Sequence, residues 1–293
     1  MDWRKTRDYL TGLFMRLTAF FAISLVFFIA LCLLIRSWPI LSEKTIAHLL
    51  LSASWHPLKG EFGFLPFITG TLEVTALAMI ISVPICLLSA IYLSEYAHRR
   101  LREAARYVID IMAAIPSVIY GLWGVILVVP FVRAIGRGMG HQTTGYNLLS
   151  GGIILAIMAF PIIISVSIEV LQAVSFGLRE TALALGTTKW EMIKHVVLKS
   201  ARRGILSAII LGFARVFGET MAVLMVVGNV AKMPKSIFDP AYPLPALIAN
   251  NYGEMMSIPR YDAALLLAAL LLLLVVGGFN LIAHLMIIRM ERV

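Results

Sequence analysis

One hydrophilic stretch in the second half of the chain reads Arg179-Glu-Thr-Ala-Leu-Ala-Leu-Gly-Thr-Thr-Lys-Trp-Glu-Met-Ile-Lys-His-Val-Val-Leu-Lys199. Both sides of Gly186 have a helix-like composition, and a glycine between them lets the backbone adopt a positive φ and approach a partner closely. The sequence therefore predicts two short helices separated at Gly186, and the small Ala182 and Ala184 side chains favour seating in a groove of a soluble protein. An alternative is an amphipathic helix on the membrane surface with Trp190 at the interface, which explains the lysines but not the glycine.

Long apolar runs lie on both sides of this stretch. The hydrocarbon core of a bilayer is crossed by about 20 apolar residues in a helix, and such runs occupy 14–35, 68–93, 108–132, 149–170, 205–227 and 263–288. The chain is 60% hydrophobic and only 14% charged, whereas soluble domains are roughly a quarter charged. We therefore predict an all-α integral membrane protein with about six transmembrane helices, the first of which is too long for a signal peptide.

The net charge alone would allow a nucleic-acid partner, because 25 Lys and Arg residues against 16 Asp and Glu residues give +9. With the N-terminus inside, however, 16 basic residues fall in cytoplasmic segments and 8 in external ones, and Arg215 lies within the fifth run. The positive-inside rule then predicts that both termini are cytoplasmic, and no nucleic-acid partner is indicated. The two cysteines, Cys32 and Cys86, lie inside apolar runs without metal-ligand spacing, so we predict no metal and no cofactor.

Three connections are long enough to hold more than a turn, at 37–67, 171–204 and 230–262. In the predicted topology the first and third are external and contain several prolines and tryptophans, which favours short helices and turns at the membrane surface. We divide the chain into an N-terminal part, residues 1–67, and a permease core, residues 68–293, that contains the cytoplasmic loop 171–204. Prolines within the apolar runs predict helix kinks, at Pro84, Pro116, Pro130 and Pro161.

The stretch that begins at Arg179 resembles the cytoplasmic loop of permease subunits of ATP-binding cassette importers. That loop has Glu-Ala-Ala, a glycine six residues after the glutamate, and then Ile-x-Leu-Pro. The residues in register with it are Glu180, Ala182, Gly186, Val196 and Leu198. The chain departs from the pattern at Thr181, which replaces an alanine, and at Lys199, which replaces the proline. The resemblance implies the type I importer permease fold and a loop that docks on a separate ATPase subunit, through Glu180, Thr181, Ala182, Gly186, Lys189 and Trp190.

Three segments, 113–124, 184–193 and 218–229, resemble the phosphate-specific importer. The order Gly-Glu-Thr-Met-Ala-Val followed by Gly-Asn in 218–229 is similar to the PstC permease family more than to the companion PstA family. This resemblance implies a bacterial inner-membrane complex with a second permease resembling PstA, two ATPase subunits resembling PstB and an external phosphate-binding protein resembling PstS. It also implies that Arg215 and Glu219 match residues important for transport.

Arg215 and Glu219 lie four residues apart in the apolar run 205–227, which predicts that they share one face of a helix. Charges at membrane depth cost from roughly 2.5 to above 10 kcal/mol and usually face a bundle interior or a water-filled path. The pair could simply neutralise itself. Alternatively, the Arg215 guanidinium meets an anionic substrate with its fixed donors, and the Glu219 carboxylate accepts the proton of phosphate, which sulfate lacks at neutral pH.

Three hydroxyl side chains are further candidates for the substrate path: Ser117, Tyr120 and Thr220. Each could donate a hydrogen bond to an anion, although each is more typical of a helix-packing contact in a membrane. Other polar residues in the apolar runs lie toward helix ends, where their side chains can reach the interface, namely Glu73, Asp110, Glu169 and His284.

Two other classes of function agree less well with the sequence. The chain has no G-x-x-x-x-G-K-[ST] phosphate loop, so ATP hydrolysis is assigned to a partner. It has neither the H-E-x-x-H nor the G-x-S-x-G motif and no paired catalytic carboxylates in the bundle, so an intramembrane enzyme is not indicated. A stand-alone ion-coupled carrier would leave the loop around Gly186 unexplained. The sequence thus predicts the permease subunit of an ATP-driven phosphate importer, and it leaves open a related oxyanion such as phosphonate or sulfate.

Overall fold

The computed structural model describes the backbone of residues 3–254 and 258–291. The side chains of residues 4–6, 284 and 286–291 lie outside that description, and with them the predicted placement of His284 at a helix end. The elements are α1 (Trp3–Leu41), α2 (Ile46–Leu51), β1 (Trp55–His56), β2 (Glu61–Phe62), α3 (Leu65–Tyr96), α4 (Arg99–Ala114), α5 (Ser117–Gly138), α6 (Leu148–Gln172), α7 (Phe176–Ala184), α8 (189–217), α9 (Met221–Val226), α10 (Leu244–Asn251) and α11 (Tyr261–Glu291). Three of these helices contain a π-turn, α3 at Tyr92–Tyr96, α5 at Gly124–Val128 and α8 at Ile193–Val197.

Among the described residues, five helical segments are long and apolar enough to cross a membrane: Arg7–Leu41, Leu65–Tyr96, Ser117–Gly138, Leu148–Gln172 and Tyr261–Ala283. The remaining predicted span, 205–227, has a different form. Its helix, α8, carries Lys199, Arg202 and Arg203 before its apolar part and ends ten residues before the predicted end of the span. Because α8 packs against α3, α6 and α11, it is the sixth long helix of the bundle.

The predicted third span, 108–132, is wrong at its start. The chain breaks between α4 and α5, where Ile115 takes an extended conformation with ψ 126°. Pro116 causes the break, because its ring disfavours a helical Ile115 and its nitrogen has no hydrogen to donate to the Met112 carbonyl. The Tyr120 hydroxyl replaces that missing donor with a hydrogen bond of 2.7 Å to the Met112 oxygen.

The centre of the bundle is the contact between α3 and α6. Its interior is made of small and branched apolar side chains, among them Val74, Ala78, Leu155, Ala159, Ile163 and Val216. Two of the predicted kink prolines, Pro84 and Pro161, lie within the continuous helices α3 and α6. Helix α8 approaches α6 closely at Gly204, where an added Cβ would overlap the Val170 side chain.

A layer at one end of the bundle is formed by the two connections that were predicted to be external. The short helices α2 and α10 confirm the prediction of short helices there. Trp55 of β1 packs on Phe67 of α3 and Tyr261 of α11, with ring centroids 4.8 Å and 6.2 Å apart. The N–H of Leu244 donates a 2.9 Å hydrogen bond to the Thr71 hydroxyl of α3. Residues from both sides of the division between 67 and 68 therefore share one apolar core.

Candidate functional site

Helix α8 joins the two parts of the predicted site. It begins within the loop 171–204 and carries Arg215 in its last turn. Because a helix rises about 1.5 Å per residue, Lys189 and Arg215 stand roughly 40 Å apart along its axis. Thr188 and Glu191 form a capping box at its start, in which each side chain bonds the backbone N–H of the other residue. The loop and the predicted path residue are thus ends of one helix.

The chain breaks between α8 and α9 at residues 218–220. The prediction that Arg215 and Glu219 share a helix face is therefore wrong, because the helical repeat that would align them stops two residues after Arg215. Glu219 turns back instead and caps the start of α9. Its Oε1 atom accepts hydrogen bonds from the N–H groups of Thr220 at 3.1 Å and Ala222 at 3.4 Å, and the Thr220 hydroxyl donates to a backbone carbonyl within the break.

The first turns of α5 lie beside α9. Tyr120 is buried, with 4% of its surface exposed, and it packs against Ala222 and Val226 of α9. Ser117 is half-buried and is the first residue of α5. The structure therefore places these predicted path residues on adjoining helix ends. The Tyr120 hydroxyl, however, donates its hydrogen bond to the Met112 carbonyl oxygen at the break between α4 and α5.

Arg215 has an exposed side chain at the end of α8. In the part of the chain that the structure describes, no carboxylate forms an ion pair with Arg215. A guanidinium in such a position offers fixed donors that match an oxyanion.

The loop consists of α7, a turn and the beginning of α8. The chain turns at Gly186, whose φ of +84° favours glycine, and no atom lies within 4 Å of the position a Cβ would take there. The predicted break at this glycine is confirmed, whereas the second helix is not short, because it continues into the bundle as α8. Hydrogen bonds from the Thr188 backbone and hydroxyl hold the pKa of the Glu191 carboxyl below its ordinary value.

Most of the predicted ATPase-docking residues lie on the surface of the loop, namely Glu180, Thr181, Gly186, Lys189 and Trp190. Ala182 does not, since only 5% of it is exposed and it packs with Ile193 and Val197 of α8. Ala182 therefore supports the loop from inside, which corrects its placement on the docking surface.

Sequence reasoning missed a group of exposed apolar side chains on the loop. Leu185, beside the turn, is 80% exposed, and the others are Phe176, Leu178 and Leu183. Exposed apolar patches mark protein or membrane interaction sites. The alternation of leucine and alanine in this segment could have indicated the patch, but the same alternation is typical of a helix with a buried face.

Two polar residues that were assigned to helix ends, Asp110 and Glu169, line a cavity of about 340 Å³ between α4 and α6. The other charged residues that line it are Arg99, Arg102, Glu103 and Arg106. Charges of both signs are equal in number there, so the cavity does not select for an anion. Among the described residues, no group of three or more His, Cys, Asp or Glu side chains could hold a metal ion.

Comparison with known proteins identifies the family. Residues 82–291 match the family described as "Binding-protein-dependent transport system inner membrane component". The chain belongs to this family. An inner-membrane component with five apolar spans is a multi-pass inner-membrane protein.

Relatives of this inner-membrane component include two proteins named "Phosphate transport system permease protein PstC". The one from Xylella fastidiosa (strain 9a5c) is 37% identical over 82% of this chain and 78% of its own length. The one from Haemophilus influenzae is 32% identical over 98% of this chain and 96% of its own length. The resemblance to PstC permeases found in the sequence is thus confirmed.

Solved structures share the fold of this inner-membrane component. A bacterial ABC transporter involved in the import of the acidic polysaccharide alginate matches with a TM-score of 0.63 at 16% identity, covering 98% of each chain. The MetNI methionine ABC transporter matches with a TM-score of 0.57 at 21% identity, covering 74% of this chain and 91% of that chain. These likenesses confirm the predicted importer permease fold.

Proposed function

We propose that this chain is the PstC-type permease subunit of an ATP-driven phosphate importer, which forms half of the translocation path and couples it to a separate ATPase. The observation that carries the proposal is α8, because one helix links the loop around Gly186 to Arg215. One end of the helix presents a surface suited to a soluble protein, and the other presents a side chain suited to an oxyanion. The relatives named PstC support phosphate as the substrate.

The same proposal assigns the partners. A half-path needs a second permease, resembling PstA, and we assign the exposed Arg215 side chain to the space between the two. Two ATPase subunits resembling PstB drive the complex, and an external protein resembling PstS delivers phosphate to the layer formed by α2, the β1–β2 hairpin and α10. The distribution of basic residues supports cytoplasmic termini and a cytoplasmic loop 171–204.

In the path, we assign Arg215 to the phosphate oxygens, because a guanidinium stays charged and offers donors in a fixed plane. The Oε1 atom of Glu219 is engaged by the backbone, so the second carboxylate oxygen is the one assigned to the phosphate proton. Ser117 is assigned as a further hydroxyl contact, whereas the Thr220 hydroxyl already donates to the Gly218 carbonyl oxygen and is assigned to the support of the break between α8 and α9. Tyr120 is assigned to the support of the α4–α5 break, since its hydroxyl is bonded there.

For the docking surface, we assign the five exposed residues of the original prediction, Glu180, Thr181, Gly186, Lys189 and Trp190. We extend it with Leu183 and Leu185, which are exposed apolar side chains near the turn. A mixed apolar and charged surface of this kind suits a groove on a soluble ATPase.

The test is the uptake of labelled phosphate by vesicles that contain the complete complex, with unlabelled sulfate and phosphonate as competitors. We expect uptake to require ATP and to be lost in Arg215→Ala, while Arg137→Ala, which removes an exposed arginine at the end of α5, leaves it unchanged. Stronger competition by sulfate or phosphonate than by phosphate itself would assign a related oxyanion. Uptake by this chain without the ATPase would overturn the proposal in favour of a stand-alone carrier.

A further inference from the structure

Glu95, near the end of α3, and Arg179, in α7, form a buried ion pair that we call the latch. Resting on the proposed function of the loop as the ATPase-docking element, we propose that the latch makes the loop and α3 move as one unit when the ATPase closes. Glu95 and Arg179 are then positioning residues for coupling, acting through α3 rather than on the substrate.

The geometry of the latch is that of a junction between three helices. The Arg179 Nη2 atom lies 3.1 Å from Glu95 Oε1, across 84 residues of sequence. The same guanidinium donates to the carbonyl oxygen of Leu171, at 2.7 Å in the last turn of α6, and to that of Val174, in the connection that follows α6. One side chain of α7 therefore holds the ends of both α3 and α6.

Burial separates the latch from an ordinary surface pair. The side chains of Arg179 and Glu95 are only 15% and 7% exposed. Desolvation makes such a pair a poor source of stability compared with apolar residues of the same size, so its value lies in fixing one arrangement of the parts it joins. The planar fork of arginine suits this task, because it binds several acceptors in one fixed geometry.

Further contacts hold the same π-turn of α3, Tyr92–Tyr96. The Lys189 ammonium, at the start of α8, lies 4.4 Å from the centroid of the Tyr96 ring, a cation–π distance. Arg102 of α4 donates to the carbonyl oxygens of Leu93 and Ser94, at 2.8 Å each. The end of α3 is thus bound to the loop on both sides of Gly186 and to α4, and π-turns are frequent at functional sites.

An apolar cluster also joins α3 to the loop. Ala90 of α3, Ala182 of α7 and Ile193 of α8 belong to one buried cluster. A displacement of the loop relative to α3 would have to open this cluster and the latch together. Since α3 extends from the latch to the layer at the other end of the bundle, where Thr71 holds Leu244, a motion of the loop would be carried along its whole length.

The test uses the complete complex with Cys32 and Cys86 replaced by serine and spin labels at Leu88→Cys of α3 and Phe176→Cys of α7, both exposed positions. The distance between the labels is measured without nucleotide and with a non-hydrolysable ATP analogue, and the phosphate transported per ATP hydrolysed is measured separately. In the wild type we expect one distance in both states. In Glu95→Gln we expect the distance to change with ATP and the phosphate-to-ATP ratio to fall about fivefold or more, with normal amounts of complex.

The matched control is Glu103→Gln, which removes a carboxylate from the exposed Arg99–Glu103 pair within α4, and we expect it to change neither readout. Arg179→Lys keeps the charge but loses the fork, and we expect it to behave like Glu95→Gln. A wild-type distance that already changes with ATP, an unchanged ratio in Glu95→Gln, or loss of assembly in both variants would overturn the proposal. Failure of the wild-type complex to transport phosphate would count instead against the proposed function, because the distance readout needs only ATP binding.

Discussion

The Tyr120 hydroxyl and the Met112 carbonyl oxygen lie 2.7 Å apart, across the break that Pro116 makes between α4 and α5. Without this bond the Met112 oxygen would keep only the long 3.4 Å contact from the Ile115 N–H. The bond lets the chain leave one helix and begin another without an unpaired carbonyl inside the bundle.

We expect Tyr120→Phe to lower the free energy of unfolding by about 1 to 3 kcal/mol, because a buried acceptor left without its donor bears the cost of desolvation. Thermal unfolding of the purified complex measures this. Tyr107→Phe is the control, since Tyr107 is 71% exposed on α4 and its variant should unfold like the wild type. Loss of phosphate uptake with unchanged stability in Tyr120→Phe would place the hydroxyl in the substrate path instead.

We expect Arg215→Ala to abolish phosphate uptake without reducing assembly, because the Arg215 side chain is exposed. Arg215→Lys should restore little of the uptake, since an ammonium lacks the planar donors. Because no ion pair joins it to Glu219 in the described chain, the effects of Arg215→Ala and Glu219→Gln on stability should add to within about 0.5 kcal/mol. A double-mutant cycle on assembled complex measures this, and a larger coupling would show that the two residues interact.

Gly186→Pro should abolish co-purification of the ATPase, because proline fixes φ near −65° whereas the turn needs +84°. Gly186→Ala should weaken docking less, at a cost of roughly 1 to 2 kcal/mol for a positive φ at alanine, since there is open space for the methyl group. Gly177→Ala, which adds a methyl group within α7 at ordinary contact distance, is the matched control and should dock normally. If Gly186→Pro bound the ATPase normally, the turn at residue 186 would not be part of the interface with the ATPase.

The capping box at Thr188 predicts a pH dependence. The pKa of Glu191 is lowered by hydrogen bonds from the Thr188 backbone and hydroxyl. The ionised carboxylate therefore stabilises the capping box fully above the ordinary carboxyl pKa of 4.5, and this stabilisation is lost as pH falls through the lowered pKa of the folded state. Amide exchange of residues 188–192 should be slower in the wild type than in Glu191→Gln near neutral pH. The difference should vanish once the pH lies below that lowered pKa. If the ratio of the amide exchange rates in Glu191→Gln and the wild type did not change with pH, the charged carboxylate would not be what stabilises the turn.

The apolar runs predicted the bundle because length and hydropathy are local properties. They did not predict the break at 218–220, because Gly218 is a single glycine and the six residues of α9 are apolar, so hydropathy merges α9 with the end of α8. The sequence predicted a kink at Pro116. A proline is found both at a kink and at a complete break of a helix, so the residue alone does not tell which of the two occurs. What decides between them is the Tyr120 hydroxyl, which reaches Met112 only in three dimensions.

The sequence indicated individual candidate residues of the site but not which of them contact one another. The loop and Arg215 were singled out from the sequence because each carries a local signal, and their roles in docking and in the path stay predictions. The Glu95–Arg179 pair spans 84 residues and has no such signal, so only the fold shows it. Ala182 was placed on the surface because alanine suits both a docking face and a buried one, and its contact with Ile193 decides the matter.

The unbroken course of α8 has a mechanical consequence. A close contact of this helix with α6, where Gly204 meets Val170, is a natural pivot. If the helix tilts by about 5° about Gly204, Arg215, eleven residues away, moves by roughly 1.5 Å, and Lys189, fifteen residues away, moves by roughly 2 Å in the opposite direction. An anion at Arg215 could then be gripped and released by rigid rotation alone, with no change of rotamer. Genetic suppressors of a weakened loop should accordingly arise at the pivot as well as at the docking surface.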